Sequence, residues 1–271
     1  MKKQLPLGLV LEGSSTHSAI LRLPKLAEEL GPVKSSAMRI ARRFSNLVQG
    51  GYAVAEYEEL QNARLILLRV PDGSVNRIVR ELCASELLMK RLSFVLCETW
   101  LTSEVLAPLN ERGASVATLV RAPSTERDWF VLEGQVTASR LTRRFVERHE
   151  GRAFEIKLGS KDLLFAAELL ATILPVPLVA AAQQNLRAGG ITGKELGALL
   201  EQMTRKMLRE VIKGVRLPLN ATPSDCSAQL SSQFLAALRV SRPSLTSLVE
   251  GHQEASAKLI CEAWKNVIDG A

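Results

Sequence analysis

Aromatic residues make up only 4% of the 271-residue chain, and it holds three histidines and four cysteines. So few aromatics exclude an obvious platform on which nucleic-acid bases would stack. His17, His149 and His252 do not cluster with Cys83, Cys97, Cys226 or Cys261, and there is no CxxC pair. A metal site needs clustered ligands, so none is expected. Widely spaced cysteines in mostly apolar contexts fit free, buried thiols in a reducing compartment. No stretch approaches the roughly 20 apolar residues of a membrane span. The longest candidate, 163–182, contains Glu168, Pro175 and Pro177 and reads as a buried helix with a kink. Near the start, two lysines precede an apolar run that ends at Glu12, too short for the core of a signal peptide. The expectation is a cytoplasmic protein with no membrane partner.

What the chain does have is an apolar fraction of 46%, ample for a packed core, with 23% charged residues and a formal net charge of +7. The positive charge is dispersed. Arg39, Arg42 and Arg43 form one group, Arg140, Arg143, Arg144 and Arg148 a second, and Arg205, Lys206, Arg209 and Lys213 a third. Each lies at helical spacing beside apolar residues, the pattern of a solvated helix face. Nucleic acid is therefore not expected as a partner.

The first half alternates strand-like and helix-like segments. Strands are predicted at 5–11, near Val33, and at 64–70, 93–97, 115–120, 130–132 and 153–158; helices at 18–30, 36–49, 74–84, 103–112 and 137–150. Continuous apolar runs such as 65–68 mark strands buried on both faces of a parallel sheet. Alternation at this spacing implies βαβ units and a doubly wound, mostly parallel sheet. From Ser160 onward the periodicity is helical throughout, at 161–189, 192–213, 226–238 and 244–268, with a Pro- and Asn-containing loop at 217–225. The fold class is thus α/β: an N-terminal Rossmann-like domain over 1–155 and a C-terminal all-α domain over 156–271.

A dinucleotide fingerprint, G-x-G-x-x-G, uses its glycines for a tight turn, for close approach to the pyrophosphate and for helix packing. Here the stretch is Leu11-Glu12-Gly13-Ser14-Ser15-Thr16, and only Gly13 is in register. Ser14, Ser15 and Thr16 can donate to a phosphate at a helix N-terminus. The plainer alternative is a strand-to-helix turn with Ser15 or Thr16 as its cap, and Glu12 places a negative charge beside the expected pyrophosphate. After the second strand come Lys34, Ser35 and Ser36, with Arg39 one turn later. Cations and hydroxyls suit a 2′-phosphate, whereas a bare ribose is met by an acid, and none stands here. NADP is favoured over NAD; the competing reading is a helix start with a solvated arginine. Val70, Pro71 and Asp72 close a central strand at its carboxyl end, where ligands of open α/β sheets lie. Cys97 ends the next strand, with no histidine nearby in sequence, and is better read as a buried structural thiol than as a nucleophile.

Leu67-Leu68-Arg69-Val70-Pro71-Asp72 looks like an apolar strand ending in V-P-D. The run Ser103 to Leu109 followed by Gly113-Ala114 looks like a helix leading into a G-A pair, and Lys161 with Ala166-Ala167 like a K-x-x-Y-H-A-A helix start. On these matches, in this order, nearly the whole chain resembles a family of Rossmann-like proteins with a C-terminal helical domain of unknown function. That family is allied to ketopantoate reductase, pyrroline-carboxylate reductase and the phosphogluconate dehydrogenase superfamily. Several positions depart from it. Leu96-Cys97-Glu98-Thr99 stands for H-C-S-G, and Leu164-Phe165 for the Tyr-His pair. Ile173 stands for an asparagine, Val120-Arg121 for a histidine–proline pair, and Ala221-Thr222-Pro223 with Ser224-Asp225 for a T-G-P turn and R-G-D element. The resemblance implies an NAD(P)-dependent oxidoreductase acting on a small carbonyl, imine or hydroxy-acid. Gly13, Ser14 and Ser15 would hold the pyrophosphate, Pro71 and Asp72 would border the nicotinamide, and Lys161 would polarise or protonate the substrate. It also implies a homodimer through the helical domain. The apolar replacements and the single glycine of the fingerprint point to the alternative, a catalytically silent dinucleotide- or anion-binding, or dimeric interaction, protein of the same fold.

Overall fold

The computed structural model describes residues 7–12, 18–122, 129–173 and 175–213. The chain forms two compact units, Met1–Leu169 and Leu170–Ala271. In the first, β1 (Leu7–Leu11) is flanked by β2 (Leu30–Ser35) and β4 (Leu65–Arg69). Outside β2 lies β3 (Tyr52–Val54), and beyond β4 follow β5 (Ser93–Cys97), β6 (Ser115–Arg121), β7 (Trp129–Gly134) and β8 (Arg152–Glu155). The order β3-β2-β1-β4-β5-β6-β7-β8 is that of a doubly wound Rossmann-like sheet, parallel as far as β6. Strand β7 runs antiparallel to β6, and β8 is parallel to β7.

The central strands are apolar because both faces are covered. On one face Leu9, Leu11, Leu67, Val95, Cys97 and Leu119 pack with Leu26 of α1 (Leu26–Glu29), Ala41 of α2 (Met38–Val48), and Phe145 and Val146 of α5 (Val136–Arg148). On the other, Val10, Ile66, Leu68, Phe94 and Leu96 pack with Ile78 and Leu82 of α3 (Val75–Ala84) and Leu109 of α4 (Ala107–Glu111). Successive side chains alternate between these faces, the period of two that a strand imposes.

Two expectations are corrected. The helix predicted over 18–30 is broken into a 3-10 turn, Ile20–Arg22, and the four-residue α1. Pro24 is the cause: it lacks an N–H, and the residue before a proline is driven to extended backbone, as Leu23 is (φ −60°, ψ 136°). The chain then enters β2 at Leu30. Edge strand β3 was not anticipated; it is only three residues long, and Tyr52 is exposed.

After β8, α6 (Lys161–Glu168) passes into a π-type turn, Leu169–Ile173. Then come α7 (Pro175–Ala188) and α8 (Gly193–Ile212). The segment read as one kinked, buried helix is thus interrupted ahead of Pro175, and Leu163, Leu169 and Val176 along it are exposed. All described residues of the second unit belong to helices or the short connections between them. The helices predicted over 226–238 and 244–268 lie outside the described residues. Among the described residues no helix is long and apolar enough to cross a membrane.

Candidate functional site

The carboxyl ends of β1, β2, β4 and β5 meet along one edge of the first unit, where an open α/β sheet takes its ligand. Gly13, Ser14, Ser15 and Thr16 lie outside the described residues. Glu12, just before them, donates its backbone N–H to the Arg69 carbonyl at 3.1 Å. Its carboxylate is paired with Arg77 of α3, so the negative charge foreseen beside the pyrophosphate is balanced by a guanidinium. Arg77 also reaches Glu81 at 2.6 Å.

At the end of β2, Ser35 is buried, and its hydroxyl has no hydrogen-bond partner among the described residues. The Lys34 ammonium donates to the Ser35 carbonyl at 3.1 Å and lies 4.9 Å above the Tyr57 ring. Tyr57 donates its hydroxyl to Glu81 at 2.7 Å. Burial, then that carboxylate, push the phenol's pKa up. Ser36 and Arg39 are exposed, Ser36 in the turn after β2 and Arg39 on the first turn of α2. The four residues predicted to meet a 2′-phosphate therefore share one corner. Tyr57 was missed, because it comes from the 3-10 turn Tyr57–Asn62 that follows the unforeseen β3.

At the end of β4, Val70 is buried and Pro71 exposed. Asp72 accepts the Thr99 hydroxyl at 2.6 Å and the Trp100 N–H at 3.4 Å, tying the turns after β4 and β5 together. Glu98, next to Thr99, was also missed as a site residue. Its backbone is left-handed (φ 54°), a conformation that side chains other than glycine seldom adopt. Its carboxylate accepts the N–H groups of Ala19 and Ile20 at 2.6 and 3.3 Å and lies 2.7 Å from Arg69 Nε. An internal anion thus covers two amides at the start of the 3-10 turn Ile20–Arg22. Cys97 donates its thiol to the Val95 carbonyl at 3.4 Å, and burial pushes its pKa up, so it is a structural thiol.

Lys161 begins α6 and is only 1% exposed. Its ammonium donates to the Leu101 carbonyl at 2.5 Å, and burial pulls its pKa from 10.5 to about 8, against the opposing pull of Glu133 and Asp72. Glu133 of β7 is buried, accepting the N–H groups of Gly159 at 2.7 Å and Ser103 at 3.1 Å. Trp100 is 64% exposed, with its ring centroid 3.9 Å from that of Phe165. Lys161, Asp72 and Glu133 thus act on one another electrostatically, and the Trp100 and Phe165 rings meet at a tilt of 42°.

No family model matches the chain, and no curated protein matches it. Solved structures do. The V8 variant of an imine reductase from Myxococcus stipitatus in complex with NAD+ is 14% identical, with a TM-score of 0.66 over 97% of this chain and 94% of its own. An imine reductase from Aspergillus terreus in complex with NADPH4 and a dibenzazepine is 15% identical, with a TM-score of 0.66 over 93% and 95%. A candidate NADP oxidoreductase from Bacteroides fragilis is 13% identical, with a TM-score of 0.69 over 97% and 98%. At these identities the likeness shows the fold: that of Rossmann-like proteins which include NADP oxidoreductases and imine reductases.

The buried amine makes stability depend on pH. Between about 8 and 10.5 the unfolded chain holds the Lys161 proton and the folded chain does not, so stability rises with pH across that window. Urea unfolding of wild type and Lys161→Met from pH 7 to pH 10.5 should show wild type gaining on the variant as pH rises. A constant difference between them would contradict the buried, depressed amine.

Proposed function

We propose that the chain binds NADP(H) along the carboxyl edge of its sheet and reduces a small carbonyl, imine or keto-acid substrate (the reverse of hydroxy-acid oxidation). The observation that carries this reading is the corner at the end of β2. Among the described residues Ser35 holds a buried hydroxyl without a partner, the Lys34 ammonium lies on the carbonyl of the same residue, and the β2 end carries no acid. A buried polar atom left unpaired is costly, and a 2′-phosphate would satisfy it. The neighbours' complexes with NAD+ and NADPH support the same class of cofactor. Ser35, Lys34, Ser36 and Arg39 would hold the 2′-phosphate, Gly13, Ser14, Ser15 and Thr16 the pyrophosphate, and Val70, Pro71 and Asp72 the neighbouring ribose and nicotinamide. When bound, the nicotinamide supplies the hydride. Lys161 supplies the proton: its lowered pKa lets Nζ carry one at neutral pH and yield it readily. To reach a substrate the ammonium must leave the Leu101 carbonyl.

That last requirement favours a second reading, a silent binding protein of the same fold. Lys161 is enclosed, and Glu98 already occupies the amides of Ala19 and Ile20. Pairing of two copies through the second unit is part of either reading, supported by the exposed Leu199, Met203, Leu208 and Ile212 on α8.

Calorimetric titration should show saturable NADPH binding, weakened by Lys34→Ala and by Arg39→Ala. No binding at millimolar cofactor would end the proposal. With binding established, loss of NADPH absorbance over a panel of cyclic imines and keto acids separates the two readings. Turnover that falls about 100-fold or more in Lys161→Met supports the reductase, and no turnover with any substrate supports the silent binder. Light scattering at micromolar concentration should give a dimer; a monomer would contradict the pairing.

A further inference from the structure

We infer that Tyr57 is a positioning residue that sets the preference for the 2′-phosphorylated cofactor by fixing the Lys34 ammonium. The inference rests on the NADP(H) reading above and adds to it a residue that touches no part of the proposed ligand. Lys34 ends in a flexible four-carbon chain, and an ammonium of this kind at a half-exposed strand end has many rotamers. Two contacts restrict it here: the Ser35 carbonyl at 3.1 Å and the face of the Tyr57 ring at 4.9 Å. The Ser35 carbonyl takes one of the ammonium's three N–H donors, at the residue whose hydroxyl is buried and without a partner among the described residues.

The ring is itself held. Tyr57 donates to Glu81 at 2.7 Å, and Glu81 is gripped by Arg77 at 2.6 Å, whose guanidinium also pairs with Glu12 after β1. Glu81 and Arg77 belong to α3, so the ring's orientation is fixed by a helix and not by the edge strand that precedes it. A cation over an aromatic face contributes about 0.5–2 kcal/mol, depending on how dry the site is. Loss of the ring would free the ammonium and weaken a ligand that needs it, leaving untouched a ligand that does not. The 2′-phosphate is the only difference between NADPH and NADH, so the ratio of their affinities isolates this effect.

The test compares wild type, Tyr57→Leu and Tyr57→Phe by calorimetry with NADPH, NADH and adenosine 2′,5′-bisphosphate, the last presenting the phosphate without the nicotinamide. Thermal unfolding establishes that each variant folds, and Tyr57→Gln replaces the leucine variant if that one does not. The expected result is about tenfold weaker binding of NADPH and of the bisphosphate by Tyr57→Leu, with NADH unchanged, and a smaller loss of about threefold for Tyr57→Phe, which keeps the ring but not its bond to Glu81. An equal loss for NADPH and NADH, or a phenylalanine variant as weak as the leucine one, overturns the role of the ring and leaves the cofactor reading standing. Wild type that binds neither NADPH nor the bisphosphate overturns the cofactor reading and this inference with it.

Discussion

The site is organised around the carboxylate of Glu98. It stands on the turn after β5, reaches across to the amides of Ala19 and Ile20 after β1, and meets Arg69 at the end of β4. One anion thereby joins the ends of β4 and β5 to the 3-10 turn Ile20–Arg22. Hydrogen bonds to a charged acceptor stabilise by about 1.5–3 kcal/mol each when shielded from water. The left-handed backbone of Glu98 costs about 1–2 kcal/mol, which these bonds offset. With Arg69 held there, Glu12 takes Arg77 as its counter-ion, and Arg77 passes through Glu81 to Tyr57 and so to Lys34. Charge is thus ordered from the middle of the sheet to the end of β2.

A second network lies on the other side of Glu98. Thr99 reaches Asp72, Leu101 holds the Lys161 ammonium, and Glu133 pins the backbone of Ser103 and Gly159. A lysine is seldom buried without paired charge, because desolvation of the ammonium is costly. Here the cost is met partly by a carbonyl and by two nearby carboxylates, and partly by a pKa lowered to about 8. The same enclosure that tunes the amine also hides it, so a proton could pass from Nζ to a ligand only if the side chain moved.

Much of this was legible in the sequence where one physical demand dominated. The runs at β4 and β5 are apolar at consecutive positions because both faces of the sheet are covered. Lys34 and Ser35 stand out as candidates because ligands of open α/β sheets lie at the carboxyl ends of strands. The helix over 18–30 was misread because its apolar spacing outweighed Pro24, although a missing N–H decides the matter whatever the spacing. Tyr57 was missed because a three-residue edge strand carries no periodic signal. The role of Glu98 depends on a left-handed φ and on partners 79 and 78 residues away, neither of which local sequence encodes. Lys161 was found as a position, but its enclosure comes from the turn after β5 and from β7, which sequence spacing does not bring together.

The central claim is that the end of β2 is the pocket for a 2′-phosphate. A crystal structure of the protein grown with NADPH tests it most directly. The account predicts density for the phosphate within hydrogen-bonding distance of the Ser35 hydroxyl and the Lys34 ammonium, with the Lys34 side chain still over Tyr57. A cofactor bound with its adenosine elsewhere, or a β2 end left empty at saturating NADPH, would contradict it.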